Sequence, residues 1–574
     1  MNIASLSRSF IALCAVVVLA GCQDSMEARE PADVVFRGGH VHTVTQGVAQ
    51  AVAATSGTIV FVGSNEDAAA FTGPDTRVVD LDGRFMMPGI VDAHVHPLGG
   101  AIKELFQCNF PFSATPEQIV AVLRECVAQR PDAEWIVGGQ WDSGLFERFS
   151  IESPRKLLDA VSGSAAVFFS DDSGHNGWAN SRALDIAGIT AETADPAGGS
   201  IGRETDSTPN GLLFETAQGL AYEVIPKYSD AQHLQAARWL SDTANSMGIT
   251  AMKAAAIEEI EIAAFHEADL SDSLNLHIAT SIRTPYGHRT TPLDYDEIDR
   301  IRDTYASENV DTRFVKIFLD GVPTPARTAA MIHPYLPDEE HGADYTGPLH
   351  IDVNTLAPDL IELDRRGYTV KIHTAGDRSV RVALDAIELA RDATGNAEKR
   401  HELAHAGYID ESDLPRFAAL NAVADLSPVI WHPSPIIDAV IMAVGEERGE
   451  RYWPVRDLLD SGAPVLAGSD WPSAVPDANP WVGIEAFVTR RDPRGDAPGA
   501  LWPEQAITLA EAIEIYTTHG AKAMLLGDQV GSIVVGRKAD LIILERNPFD
   551  IPIEEVGDTV VLQTWFDGRL VYEK

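Results

Sequence analysis

The pattern of apolar and polar positions divides the chain into three zones. Short β-type runs recur near the start, at 34–36, 41–44, 59–63 and 77–81, with glycines and polar turns between them. The far end reads the same way, with runs at 531–536, 539–544, 560–566 and 570–572. Both sets predict antiparallel strands, and together they predict one small β-sandwich built from 34–87 plus 528–574. Between them, 88–527 alternates short apolar strands with amphipathic helices, the pattern of a parallel β/α sheet. Strands are predicted at 90–96, 249–254, 276–282, 314–319, 369–373, 403–405, 422–426 and 464–470. They number eight, as a (β/α)8 TIM-type barrel of the α/β class requires. A helix is predicted over 377–391, where Val380, Ala383, Leu384, Ile387 and Ala390 share one face, and another over 504–526. The stretch 97–240 is too long for a loop. It contains a strand-like run at 165–169 and several helical segments, and reads as a cap inserted after the first barrel strand.

The first residues carry another pattern. Arg8 precedes the apolar run 10–19, which is too short for an ordinary spanning helix. It ends in Leu19-Ala20-Gly21-Cys22, which resembles a bacterial lipoprotein signal. The resemblance implies a signal peptide over 1–21, a lipid anchor on Cys22 and a polar tether over 22–33. Gln23 follows the cysteine rather than Asp, which in that class implies an exported protein held at the outer membrane, facing the periplasm. Cys108 and Cys126 lie outside the signal. An oxidising compartment permits a disulfide between them, and sequence alone leaves bridged and free thiols equally open.

The chain has 574 residues, of which 45% are hydrophobic and 22% charged, enough for a large barrel with additional structure. Lys and Arg number 44 against 85 Asp and Glu, giving a formal net charge of −41. Such a surface repels phosphate backbones and excludes a nucleic-acid partner as the first expectation. It is the surface of a heavily solvated acidic protein and says little about the substrate.

The candidate chemistry sits at the ends of the predicted barrel strands, where such barrels build active sites. Met87-Pro88-Gly89-Ile90-Val91-Asp92-Ala93-His94-Val95-His96 breaks at Pro-Gly and then places two imidazoles on one face of a strand. Lys316 lies inside the apolar run Phe314 to Leu319, where a buried ammonium must find an anion, lose its proton or be modified. His373, His405 and Asp470 end three further strands. Each alone could be an ordinary hydrogen-bonded core residue; together, at the ends of five separate strands, they form a metal-ligand set.

The order Pro-Gly-x-x-Asp-x-His-x-His, Val-Lys-x-Phe-x-Asp-Gly, Ile-His-x-x-Gly-Asp, His-Ala and Gly-Ser-Asp-Trp-Pro resembles the amidohydrolase superfamily. It is most similar to the branch containing N-substituted formamide deformylase. Gly139-Gln140-Trp141-Asp142, His175 with Trp178 to Leu184, Asn210-Gly211-Leu212-Leu213 and Gly536 to Leu541 are further marks of that branch. The resemblance implies that His94, His96 and Asp470 hold a buried metal. It implies that His373 and His405 hold a second, with Lys316 bridging as a carbamate formed from carbon dioxide. Zinc is the metal implied, as one ion or two. Asp470 would also be the general base. Trp141 and His175, in the inserted cap, and Trp471, beside a predicted strand end, are the expected substrate contacts. Two positions depart from the pattern: Ala404 stands where relatives carry Glu before the Ala-flanked histidine, and Val322-Pro323-Thr324-Pro325-Ala326 replaces a serine-containing loop.

Metal-activated water attacking a carbonyl, with a carboxylate to move its proton, suits such a ligand set. The expected function is hydrolysis of a small amide or N-acyl (including N-formyl) amine at a non-peptide C–N bond. An esterase, lactonase or cyclic-amide hydrolase on the same centre is the alternative, and a non-catalytic small-molecule-binding lipoprotein a more distant one.

Overall fold

The computed structural model describes residues 30–111, 114–141, 145–171, 176–196, 199–338, 341–473 and 475–574. The signal-like segment and Cys22 lie outside them. Among the described residues no helix is long and apolar enough to cross a membrane.

Eight parallel strands form the barrel. They are β1 Ile90–Val95, β2 Ile249–Ile257, β3 His277–Arg283, β4 Val310–Phe318, β5 Thr369–Thr374, β6 Glu402–His405, β7 Val423–Leu426 and β8 Val465–Ala467. They pair in sequence order from β1 to β8. Every predicted barrel strand is present, because short apolar runs bounded by Gly, Pro and polar residues are buried on both faces here. The last gap closes just beyond β8, where Asp470 N donates to the carbonyl of His94 at 2.7 Å and His96 N to that of Trp471 at 2.8 Å. Gly468 makes this approach possible: a Cβ there would lie 2.2 Å from His94 N.

Helix α1, Pro97–Phe106, leaves β1 directly, with Pro97 at its first position and His96 as its N-cap residue. Helix α2, Asp230–Ser246, packs beside it and opens with a capping box of Ser229 and Gln232. Helix α3, Asp377–Thr394, covers the predicted 377–391 and ends at Gly395 in the left-handed region. The single helix predicted over 504–526 is not formed. Pro503–Gln505 is a 3-10 turn, Ala506 is extended, and the helix begins only after Thr508, whose side chain and that of Glu511 cap each other's backbone. A π-turn at Ile515–His519 then interrupts it.

Both chain ends build two further sheets. One contains Val34–Arg37, Ala51–Thr55, Thr58–Gly63 and Arg77–Asp80; the other joins His40–His42, Val48–Ala49 and Phe85–Pro88 to Leu541–Leu544, Val561–Phe566 and Arg569–Glu573. Their facing sides share one core, in which Phe36 meets Trp565 edge-on with centroids 4.8 Å apart. The sheets are mixed rather than antiparallel, since Val34–Arg37 pairs in parallel with Arg77–Asp80, and His40–His42 with Phe85–Pro88. The run 531–536 is not a strand. Gly531 and Gly536 both have positive φ, which turns the chain instead of extending it.

A six-stranded sheet interrupts the barrel between α1 and α2, running from Cys108–Asn109 to Pro209–Glu215. It has its own core of Ile119, Leu123, Ile136, Val167, Phe169 and Trp178. Cys108 and Cys126 are disulfide-bonded, tying its first strand to the helix Pro116–Gln129.

Candidate metal centre

The polar side chains of the barrel converge where β1, β5, β6 and β8 end. His94 is fully buried on β1, and its Nδ1 bonds Asp425 Oδ2 on β7 at 2.7 Å. That leaves Nε2 turned towards Asp470, whose Oδ1 is 3.6 Å away. His96 Nε2 lies 3.4 Å from the same oxygen, and His405 Nδ1 lies 3.9 Å from Asp470 Oδ2. The ring centroid of His405 is 4.9 Å from that of His94 and 4.5 Å from that of His373. Ligand-capable atoms of His94, His405 and Asp470 all lie within 4.8 Å of one another. This tightest group crosses the division read from the resemblance, which put His405 with His373 and Lys316.

The backbone at this cluster is unusual. His405, Ala406 and Asp470 have φ of 72°, 39° and 55°, a region that non-glycine residues seldom occupy. Such strain persists only where surrounding contacts hold it, and it collects at functional sites. For Asp470 the holding contact is Asp92, one turn of the pleat behind His94. Its carboxylate accepts from Ser469 N at 3.0 Å and from Ser469 Oγ at 2.7 Å. Burial pushes the Asp92 carboxyl up to about 7, against these hydrogen bonds. For His373 the anchor is Asp320, which lies 3.0 Å from its Nδ1 and also accepts from Ala330 N, Ala375 N, Gly376 N and Ser379 Oγ.

The electrostatics favour neutral imidazoles facing an ionised carboxylate. Burial drives His94 and His405 well below the ordinary histidine range, reinforced by Lys371 at His94 and by His373 at His405. Burial alone would raise Asp470, but the contact with His96, with the Lys316 ammonium nearby, outweighs it and holds the carboxyl below its usual value. Lys316, 1% exposed, is lowered to about 8 by burial and by Lys371. Its ammonium stands 5.3 Å from the Phe318 ring centroid and makes no hydrogen bond or ion pair among the described residues.

These atoms suit a cation. His94 Nε2 and Asp470 Oδ1 are buried and hydrogen-bonded to nothing among the described residues, and at 3.4–3.6 Å the imidazole nitrogens stand too far from that oxygen for a good hydrogen bond. Two neutral imidazole nitrogens and a carboxylate oxygen are a usual zinc donor set. Trp471 adjoins the centre, 4% exposed, its ring lying where a Cβ on Gly100 would fall. Trp141 is elsewhere: its ring packs on Phe146 and Trp178 in the core of the inserted sheet, and its indole donates to Phe169 O at 3.2 Å. His175 lies outside the described residues.

Asp425, Lys371, Glu402 and Lys253, none of them among the candidates above, are also buried in the barrel lumen. The cue that singled out Lys316, a charge inside an apolar strand, applies equally to Met252-Lys253-Ala254, Val370-Lys371-Ile372 and Ala424-Asp425-Leu426.

Comparison with known proteins bears on the family and the fold. A family model described as "Amidohydrolase family" matches residues 77–572. The chain is 28% identical to the N-substituted formamide deformylase of Arthrobacter pascens, over 94% of this chain and 98% of that one. It is also 28% identical to Protein LONG AFTER FAR-RED 3 of Arabidopsis thaliana, over 94% and 92%. Among solved structures, an uncharacterized metal-dependent hydrolase from Pyrococcus horikoshii superposes with a TM-score of 0.71 at 22% identity, covering 91% of this chain and 99% of that one.

Proposed function

The chain belongs to the amidohydrolase family and is a hydrolase of that family; from that premise we propose that it cleaves a non-peptide C–N bond in a small amide or N-acyl amine. His94, His96, His405 and Asp470 would hold a divalent cation, zinc by donor chemistry, and His373 and Lys316 would contribute to a second site. A zinc ion, when bound, would supply a water acidified to a pKa of about 7 and a Lewis acid for the scissile carbonyl. The observation that carries this reading is the pair of buried, unbonded atoms, His94 Nε2 and Asp470 Oδ1, facing each other at 3.6 Å.

The residues of the chain supply the rest. Asp470, its carboxyl held below the usual range, would accept the proton of the attacking water and deliver it to the leaving nitrogen. Asp92 and Ser469 hold the Asp470 backbone in its strained conformation, so the carboxylate need not reorganise between the two transfers. Lys316, with no anion of its own, suits capture of carbon dioxide: its neutral amine bonds the carbon and releases a proton, leaving a carbamate with two oxygen donors. The amide-like substrate is supported by the name of the Arthrobacter relative. Attachment to the outer membrane through Cys22 belongs to the same proposal, and the Cys108–Cys126 disulfide supports an oxidising compartment.

Elemental analysis of purified protein lacking residues before Cys22, beside Lys316→Ala, tests the centre. Near two zinc per chain, falling sharply in the variant, is expected. No metal in a folded, metal-supplemented sample overturns the proposal. Rates on matched amide and ester pairs then test the bond class, with the amide expected to be the better substrate.

A further inference from the structure

Below the histidine cluster the barrel lumen holds a row of charges that the proposed hydrolysis does not use. Lys253 on β2 donates to Glu402 Oε1 on β6 at 2.5 Å. The other oxygen, Glu402 Oε2, lies 3.0 Å from Lys371 Nζ on β5. Lys371 in turn donates to Asp425 Oδ2 on β7 and, at 3.1 Å, to the carbonyl of Ala93 on β1. The row ends where that same Oδ2 meets His94 Nδ1 at 2.7 Å. Two ammoniums face two carboxylates, so the row is neutral as a whole, and Lys316 stands outside it.

The direction of the hydrogen bonds follows from the donor inventory. A lysine ammonium can only donate, so Asp425 Oδ2 accepts from Lys371 and accepts again from His94. The proton of the neutral His94 ring therefore sits on Nδ1, and Nε2 keeps its lone pair towards Asp470. Without such a partner, either ring nitrogen could carry the proton. Stability alone gives little reason for this arrangement, because apolar residues filling the same space are often equally stable or better. What a row of buried charges across β2, β5, β6, β7 and β1 supplies is orientation.

We propose that Asp425 and Lys371 are positioning residues for His94: they fix its ring and tautomer so that Nε2 is presented before the cation arrives, with Glu402 and Lys253 holding Lys371 in place. The proposal rests on the metal-centre reading above. In Asp425→Asn the amide nitrogen can donate to His94 Nδ1, moving the ring proton to Nε2 and occupying the lone pair the cation needs.

The experiment titrates metal-free wild type and Asp425→Asn with Co2+, reading visible absorption and competition with a chelator, beside thermal melts of both metal-free proteins. For a folded variant, cobalt affinity is expected to fall about 10- to 100-fold with an altered spectrum. Wild-type affinity and spectrum in a folded variant overturn the inference. So do equal losses of stability in the metal-free and cobalt-loaded forms, which mark the row as support for the fold only. If the variant does not fold, the tautomer is read in metal-free wild type from 15N-histidine spectra, with His94 assigned by its loss in His94→Asn. A proton on Nδ1 is expected, and one on Nε2 overturns the inference. Wild-type protein that takes up no cobalt fails earlier, and overturns the metal-centre reading together with this one.

Discussion

Gly468→Ala tests whether the seam between β8 and β1 sets the position of Asp470. The added Cβ would lie 2.2 Å from His94 N, 2.5 Å from His94 O and 2.6 Å from His94 Cα, all backbone atoms that cannot rotate away. Moving the first contact from 2.2 Å to 3.0 Å, the shortest distance real Cβ atoms tolerate, separates the strands by about 0.8 Å. The Asp470 N to His94 O bond, now 2.7 Å, does not survive that shift. Overpacking of this kind costs about 1–3 kcal/mol and the lost hydrogen bond about 1 more, so the metal-free protein should lose roughly 2–4 kcal/mol. Activity should suffer more, because a displacement near 1 Å between reacting groups costs on the order of 100-fold in rate. Urea unfolding of the metal-free variant and kcat/KM on an amide substrate measure the two effects. Gly99→Ala, on α1 with nothing within 4 Å of the new Cβ, is the control and should leave both unchanged or slightly improve stability. An unfolding midpoint and a kcat/KM both close to wild type in Gly468→Ala would refute the reasoning.

Stripping the cation with a chelator should abolish hydrolysis and lower the melting temperature, and returning zinc should restore both; a saturating ligand at 1,000 times its Kd adds about 4 kcal/mol. Cys126→Ser should cost roughly 3 kcal/mol, as expected for a crosslink spanning 18 residues, and limited proteolysis should cut the inserted sheet first. Buried His401 accepts from Val370 N at 3.1 Å, and burial, with Arg391 and Lys399 nearby, holds its pKa far below the free value. The unfolded chain therefore binds a proton there that the folded chain does not. Stability from this residue is complete above about pH 6.5 and falls by roughly 1.4 kcal/mol per unit below it. His401→Asn, which keeps an acceptor near Nδ1, should flatten that slope in urea unfolding between pH 6.5 and 5.

Periodicity carried most of the barrel because its strands are short apolar runs with Gly, Pro or polar residues at both ends, and burial on both faces leaves that mark. It misread 504–526 because the amphipathic spacing continues through Thr508, while the capping pair Thr508 and Glu511, visible in the sequence, starts the helix only there. It made a strand of 531–536 because two valines and an isoleucine outweighed the glycines, although positive φ at Gly531 and Gly536 is what the chain needs at that corner. At the site, His94, His96, His373, His405 and Asp470 stood out in the sequence because each lies at or just beyond the end of a barrel strand. Trp141 satisfied the same motif logic, yet it fills the core of another sheet, since an indole is as useful for packing as for binding. Asp425 and Lys371 were illegible as a pair because 54 residues separate them, and only the closed lumen brings them together.

The strand Phe85–Pro88, which runs straight into β1 and its two histidines, finds its hydrogen-bonding neighbour in Leu541–Leu544, about 450 residues later. At 5–20 residues per second, a ribosome needs roughly half a minute to a minute and a half to make what lies between. Until then the edge leading into β1 has no partner on that side, and a chain released early lacks it for good. Damaged messages and prematurely stopped chains should therefore yield products that are both unstable and inert, and a half-made hydrolase is disarmed by its own topology.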